Sequence, residues 1–232
     1  TNLVLALAIT MSIFASPASA MIVVTGGSEG AGETTVGDIR SFVSQVAVSD
    51  NSKVVAGVYS DNILSAPVVQ QPANNPGYVS EQAGVLTQFG MTAQYGNIAL
   101  LAHNFLQGAA LFDLNISSKV TVVYGDGSTQ AYKVTETLSY QALSPLSPYS
   151  DFIDLNSGNN ERLSVEALFS NIYMRSDVLI LQTCIEKEGN DSWGRLFVIA
   201  EPVQETMGEK LALQTLENIQ NELFLGKTIE PR

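Results

Sequence analysis

One cysteine, Cys184, and one histidine, His103, are all that this 232-residue chain holds of either type. A lone cysteine excludes an intramolecular disulfide, so the fold must stand on its hydrophobic core. A zinc site would lack ligands as well, since two carboxylates would have to complete the tetrahedron. Basic residues are scarce: 11 Lys and Arg stand against 23 Asp and Glu, for a formal net charge of −12. A surface of that sign repels phosphate backbones and anionic lipid heads, which excludes nucleic acid as a partner. No internal repeat is visible. Charge is missing altogether from the first 28 residues.

That uncharged segment carries a dense apolar run, Leu3 to Ala15, followed by Ser16-Pro17-Ala18-Ser19-Ala20. Such a run before a small-residue A-x-A site is the pattern of a secretory signal, expected here as residues 1–20 with cleavage after Ala20. An uncleaved anchor over Leu3 to Val24 is the open alternative, because its length is about the 20 residues that a membrane span needs. Pro17 and the surrounding serines and alanines favour the signal. Either reading exports the rest of the chain and leaves the membrane no other contact than this segment. Thr25-Gly26-Gly27-Ser28-Glu29-Gly30-Ala31-Gly32-Glu33 is rich in glycine but lacks the Gly-Lys-Ser/Thr ending of a phosphate loop, so residues 21–37 read as a flexible linker.

The remainder divides into a globular domain, residues 38–203, and a C-terminal helical extension, residues 204–232. Ser41 to Val48 and Val54 to Tyr59 are strand or short helix, which the period does not separate. Pro67, Pro72 and Pro76 punctuate a loop. Ile98 to Ala102 reads as a buried strand ending at His103. Lys119 to Tyr124 and Gln130 to Thr137 alternate around Gly125-Asp126-Gly127, a hairpin signal. Gln141 to Ser170 mixes Pro, Ser, Asn and acidic residues, with a short helix near Val165 to Ser170. Val178 to Cys184 and Arg195 to Ala200 are β-prone apolar runs. The polar stretch between them, Ile185 to Gly194, joins them as an antiparallel hairpin with a long tip. Leu213, Leu216, Ile219, Gln220 and Leu223 fall near helical spacing within Glu205 to Leu225, a helix ended by Gly226. Many short strands with turn residues between them predict a mainly β fold: a closed or nearly closed antiparallel barrel with short helices and one C-terminal helix.

The hairpin makes a chemical point. Residues flanking its loop are cross-strand neighbours, with Cα atoms about 4.5 to 5.5 Å apart when directly opposite, so Cys184 and Arg195 come together from local rules alone. A free thiol titrates near pH 8.5, and a guanidinium beside it favours the thiolate. His103, distant in sequence, would supply a proton-transfer group. Each has a plainer role: Cys184 as a small core residue, His103 as a structural one, Arg195 as a surface partner of Glu186, Glu188 or Asp191, and Trp193 as a loop anchor. No cofactor is expected. Asp151, Asp154, Asn156 and Glu161 offer oxygen ligands for calcium along one loop, but their spacing is not that of an EF-hand and a solvated acidic loop accounts for them.

Leu181-Gln182-Thr183-Cys184, followed by Trp193-Gly194-Arg195-Leu196-Phe197-Val198, resembles the signature of the sortases, cysteine transpeptidases of bacterial surfaces. Gly96 to Gly108, with His103 and Asn104, resembles their histidine strand and the loop after it. The resemblance spans Val54 to Pro202, and it departs at Ile180, where the family usually has Thr. It implies a sortase-like β-barrel in which His103, Cys184 and Arg195 are catalytic and Thr183, Trp193 and Asn104 border the substrate groove. It also implies the activity: cleavage of a sorting-signal peptide, at Thr-Gly or a related bond, through a thioacyl intermediate and transfer to an amine acceptor at the cell surface. The chain contains no Leu-Pro-x-Thr-Gly tail, so it reads as the enzyme and not its cargo. Two other classes remain open: an exported cysteine hydrolase using the same three residues, and a catalytically silent peptide-binding domain.

Overall fold

The computed structural model describes residues 39–203. The expected signal or anchor, the linker and the C-terminal helix lie outside the described residues. In chain order the elements are α1 (Ile39–Val46), β1 (Val55–Ser60), β2 (Leu64–Gln70), β3 (Leu86–Gln88), a 3₁₀ segment (Gly90–Tyr95), β4 (Ile98–Leu101), a second 3₁₀ segment (Gln107–Asp113), β5 (Lys119–Tyr124), β6 (Thr129–Ala142), β7 (Phe152–Asp154), β8 (Arg162–Leu163), α2 (Val165–Tyr173), β9 (Leu179–Lys187) and β10 (Asn190–Pro202).

The strands run in the order β10-β9-β4-β3-β2-β1-β5-β6, and β6 pairs back onto β10 to close an eight-stranded barrel. The closed mainly β barrel expected from the strand punctuation is therefore present. Two of its pairings are parallel, β2 with β3 and β4 with β9; the others around the ring are antiparallel. The parallel joints arise where the chain crosses over between strands instead of turning back through a hairpin. Closure leaves no free edge around the ring.

Alternation along each strand sorts the apolar residues into two layers. The inward set includes Val58, Leu64, Leu86, Leu100, Val122, Val134, Leu181 and Val198, drawn from all eight strands. The outward set, Leu101, Tyr140, Ile180, Phe197 and Ile199, is covered by α2 through Val165, Leu168, Phe169, Ile172 and Tyr173. Those five positions follow the i, i+3, i+4, i+7, i+8 stripe of an amphipathic helix. Ser164 caps the helix by accepting from the backbone N–H of Ala167 at 3.2 Å, which satisfies one of the free amides of the first turn. On the far side α1 buries Phe42 against Tyr59 and Val123.

Several sequence expectations change. The Ser41 to Val48 stretch resolves as helix as far as Val46, and the Val54 to Tyr59 stretch as strand from Val55. Pro67 does not punctuate a loop; it lies within β2 opposite Gly57, one place before the pairing with β3 begins at Val68, so its missing N–H removes no ladder bond on that side. The hairpin carrying Cys184 and Arg195 has no long tip. β9 and β10 extend through the polar residues to a tight turn at Glu188 and Gly189, both at positive φ (55° and 78°), the requirement of a type I′ turn. A bulge between Asn190 and Gly194 takes up the surplus residues. Among the described residues no helix is long and apolar enough to cross a membrane.

Candidate active site

Cys184 is the last buried residue of β9, where the apolar run gives way to exposed Glu186 and Lys187. It is a free thiol and 4% exposed. Arg195 lies directly opposite it on β10 and opposite Tyr140 of β6 on the other side. The local reading that joined these two residues therefore holds in the register.

Arg195 is not a surface residue. Held between two strands, it is 3% exposed, and its Nη1 donates to the backbone carbonyls of Ser192 at 2.9 Å and Gly194 at 2.8 Å. The expected rival role, an ion pair with Glu186, Glu188 or Asp191, does not occur; Glu186 instead accepts from the Gly189 amide at 2.7 Å. Nε of Arg195 is buried without a partner. A buried guanidinium bonded only to neutral carbonyls lacks a counter-charge, an arrangement that is destabilising unless a negative group comes to it.

His103 follows β4, which runs parallel to β9 with Leu101 level with Gln182. The Ala102 amide continues that ladder by donating to the Gln182 carbonyl at 3.1 Å. His103 lies two residues beyond Leu101 and Cys184 two beyond Gln182, and Ala99, Leu101 and Ile180 on these two strands face outward. The parallel crossover thus brings the strand that leads to His103 alongside the cysteine strand, which no local rule could do. Thr183, 1% exposed, points the other way and donates from Oγ1 to the Ala102 carbonyl at 3.0 Å. It ties the cysteine strand to the residue before His103.

The chain turns sharply after the histidine. The amides of Leu106 and Gly108 both donate to the His103 carbonyl at 3.0 Å. A Cβ at Gly108 would collide with Thr183 Oγ1 and with that carbonyl, so only glycine fits the approach. Phe105, exposed, stacks on the imidazole with ring centroids 5.2 Å apart and planes at 18°. Asn104 reaches across to the hairpin, its Nδ2 donating to the Asp191 carbonyl at 3.1 Å. Trp193 is half-buried, with Lys187 Nζ 4.7 Å from its ring centroid. Burial lowers the pKa of His103 from 6.5, opposed first by the nearby Glu81 carboxylate and then by a hydrogen bond to the Val79 backbone. The neutral imidazole is favoured by the desolvation.

Sequence reasoning missed Val79 and Glu81, which sit in a proline-rich stretch with no periodic signal. It also missed Tyr173 and Gln182. A polar residue inside the run Leu179 to Leu181 and Cys184 was a usable sign, because a buried strand position gains nothing from a carboxamide unless that group is bonded. Of the oxygen groups weighed for calcium, Asp151 pairs with Arg162 at 2.6 Å and Asp154 accepts from Asn156 at 2.7 Å; among the described residues no group of three or more His, Cys, Asp or Glu is placed to hold a metal ion.

No protein-family model matches the chain, and no curated protein sequence matches it. Among solved structures it is similar to sortase C1 from Streptococcus suis, at 16% identity over 73% of this chain and 83% of that one, with a TM-score of 0.45. Sortase C-1 from Actinomyces oris is similar at 14% identity, covering 72% and 82%, with a TM-score of 0.43. Sortase A of Listeria monocytogenes is similar at 13% identity, covering 68% and 95%, with a TM-score of 0.39.

Proposed function

We propose that this chain is an exported, sortase-like cysteine transpeptidase, with Cys184 as nucleophile, His103 as acid and base and Arg195 as oxyanion donor. The observation that carries the proposal is the buried Arg195 guanidinium without a carboxylate, directly across the hairpin from the buried Cys184 thiol. A thiolate on Cys184 is the counter-charge that this position lacks, and the cation in turn favours the thiolate.

The chemistry follows from those positions. The Cys184 sulfur attacks the acyl carbon of a peptide bond, and negative charge moves onto the carbonyl oxygen, where a guanidinium donor stabilises it. Collapse of that adduct breaks the C–N bond. His103 as imidazolium gives its proton to the departing amine and is left neutral, and Cys184 holds the acyl group as a thioester. An incoming amine loses a proton to His103 as it attacks the thioester; the new amide forms, and Cys184 leaves as thiolate. Because burial lowers the pKa of His103, its imidazolium form is the minority species at neutral pH. Sorting-signal peptides are the substrate class and a surface amine the acceptor, both carried over from the ordered motifs around His103, Cys184 and Arg195.

The test is an acyl-enzyme trap. Sorting-signal peptides of several sequences, incubated with wild-type protein, should leave an acyl mass on Cys184, and Cys184→Ala should show none. Adding a primary amine should shift product from acid to amide. Acid alone at every amine concentration would make the chain a hydrolase. No acyl adduct with any peptide, from a protein whose thiol still alkylates, would remove the transpeptidase reading.

A further inference from the structure

Gln182 and Tyr173 form a sealed polar pair on the barrel face that also carries Cys184. The register of β9 and β10 sets Phe197 opposite Gln182 and Arg195 opposite Cys184, so the four share one outward patch. Tyr173, the last residue of α2, packs edge-on to Phe197 with ring centroids 5.9 Å apart. Its hydroxyl donates to Oε1 of Gln182. Tyr173 and Gln182 are each 1% exposed.

Two donors on this patch have no partner: Nε2 of Gln182 and Nε of Arg195. Buried donors are nearly always bonded, and an orphan is disfavoured relative to an apolar side chain of the same size. A methionine would fill the Gln182 position without that cost. The hydroxyl of Tyr173 occupies the acceptor end of the carboxamide and thereby fixes the donor end as the free one. The phenol of Tyr173 is pushed up by burial, and both Arg195 and Cys184 act on it electrostatically, so the pair lies within reach of charge at the thiol.

We infer that Tyr173 and Gln182 are positioning residues of the thiol site: Tyr173 orients the Gln182 carboxamide so that Nε2, on the same outward patch as Arg195, favours negative charge on Cys184. This inference rests on the nucleophile reading given above and deepens it. The titratable and charged groups on the elements packed around Cys184 are Arg195 from β10, His103 following β4, with Glu81 near it, Tyr173 from α2, and Tyr140 from β6 across Arg195. The variants leave Arg195, His103, Glu81 and Tyr140 unchanged.

The experiment is the pH dependence of iodoacetamide alkylation, read by mass on the full chain, whose single cysteine makes the site unambiguous. Gln182→Met and Tyr173→Phe should each raise the alkylation midpoint by at least about half a pH unit, roughly a threefold loss of thiolate below the midpoint. The double variant should rise no further than either single one, because the two act as a unit. Gln182→Glu, which places a like charge beside the thiolate, should raise it more than Gln182→Met. Unchanged midpoints in folded Gln182→Met and Tyr173→Phe proteins would overturn the inference, as would shifts that simply add in the double variant. If Gln182→Met does not fold, Tyr173→Phe, which removes one oxygen, decides alone. The acyl trap reports on the transpeptidase reading separately: a failed trap with shifted midpoints sinks that reading and leaves this pair, and the reverse result sinks the pair only.

Discussion

Asn97 holds the end of α2 against the start of β4: its Nδ2 donates to the carbonyl of Tyr173 at 2.6 Å and to that of Arg175 at 2.8 Å. Those carbonyls belong to the last turn and the exit of the helix, where no intrahelical donor remains. One buried side chain therefore sets the depth at which α2, with Tyr173 at its tip, rests on the outer face of the barrel. Arg175 adds a second tether by pairing with Glu136 of β6 at 2.6 Å.

Asn97→Ala removes both bonds and leaves two carbonyls short of a donor. The loss should be about 1 to 3 kcal/mol, on the scale of one or two net hydrogen bonds. A melting temperature lowered by several degrees is the expected result; a melt identical to wild type would show that water replaces the amide at no cost.

The sequence carried the hairpin and the barrel class because both follow from local patterning. Val178 to Cys184 and Arg195 to Ala200 are apolar runs whose flanking residues must face each other, and the turn at Gly125 to Gly127 declares itself by composition. What it hid was non-local. The parallel joint of β4 with β9, which sets Leu101 level with Gln182 just before His103, depends on a crossover that no period encodes. Pro67 misled because proline usually marks a loop, whereas a strand tolerates it wherever no ladder bond is lost. The polar residues Glu186 to Ser192 looked like a loop tip; Glu188 and Gly189 alone make the turn, and the rest are strand and bulge, exposed except for the buried Ser192.

Gly194 sits where β10 runs tightly against β6. A Cβ there would stand 2.6 Å from the Tyr140 carbonyl oxygen and 3.3 Å from the Ile185 Cβ, so Gly194→Ala must push two strands apart next to Arg195. The expected penalty is about 1 to 3 kcal/mol of stability, the usual range for overpacking. Thermal melts read the stability, and alkylation of Cys184 reads the disturbance at the site. A variant as stable as wild type would mean that β10 can shift at this point without strain.

His103 is the only histidine, so its ring resonance can be followed by NMR without assignment. Its titration midpoint should lie below 6.5, because burial is the largest influence on it. Glu81→Gln removes an influence that raises the pKa and should move the midpoint lower still. The same depression sets a sign for stability. Between the folded midpoint and 6.5 the unfolded chain binds more protons than the folded one, so stability falls as pH drops through that window. His103→Gln should abolish that part of the pH dependence in melts. A midpoint above 6.5 would show that Glu81 and the Val79 bond outweigh desolvation.

Arg195 separates charge from geometry. Arg195→Lys keeps a cation opposite Cys184 but loses Nε and the planar fork, so the donors left on the ammonium are not held in the fixed plane in which a guanidinium presents its N–H groups to an acyl oxygen. If Arg195 stabilises the oxyanion, kcat/KM for peptide cleavage should fall by roughly 10²-fold or more, the scale of one lost donor. Alkylation of Cys184, which needs only positive potential, should change far less. A residue that merely braces the hairpin through Ser192 and Gly194 gives the opposite pattern: a lowered melting temperature with a normal rate per folded molecule. Kinetics, alkylation and melts on this one variant distinguish the two, and a normal kcat/KM would take Arg195 out of the reaction and leave it as the brace of the β9–β10 turn.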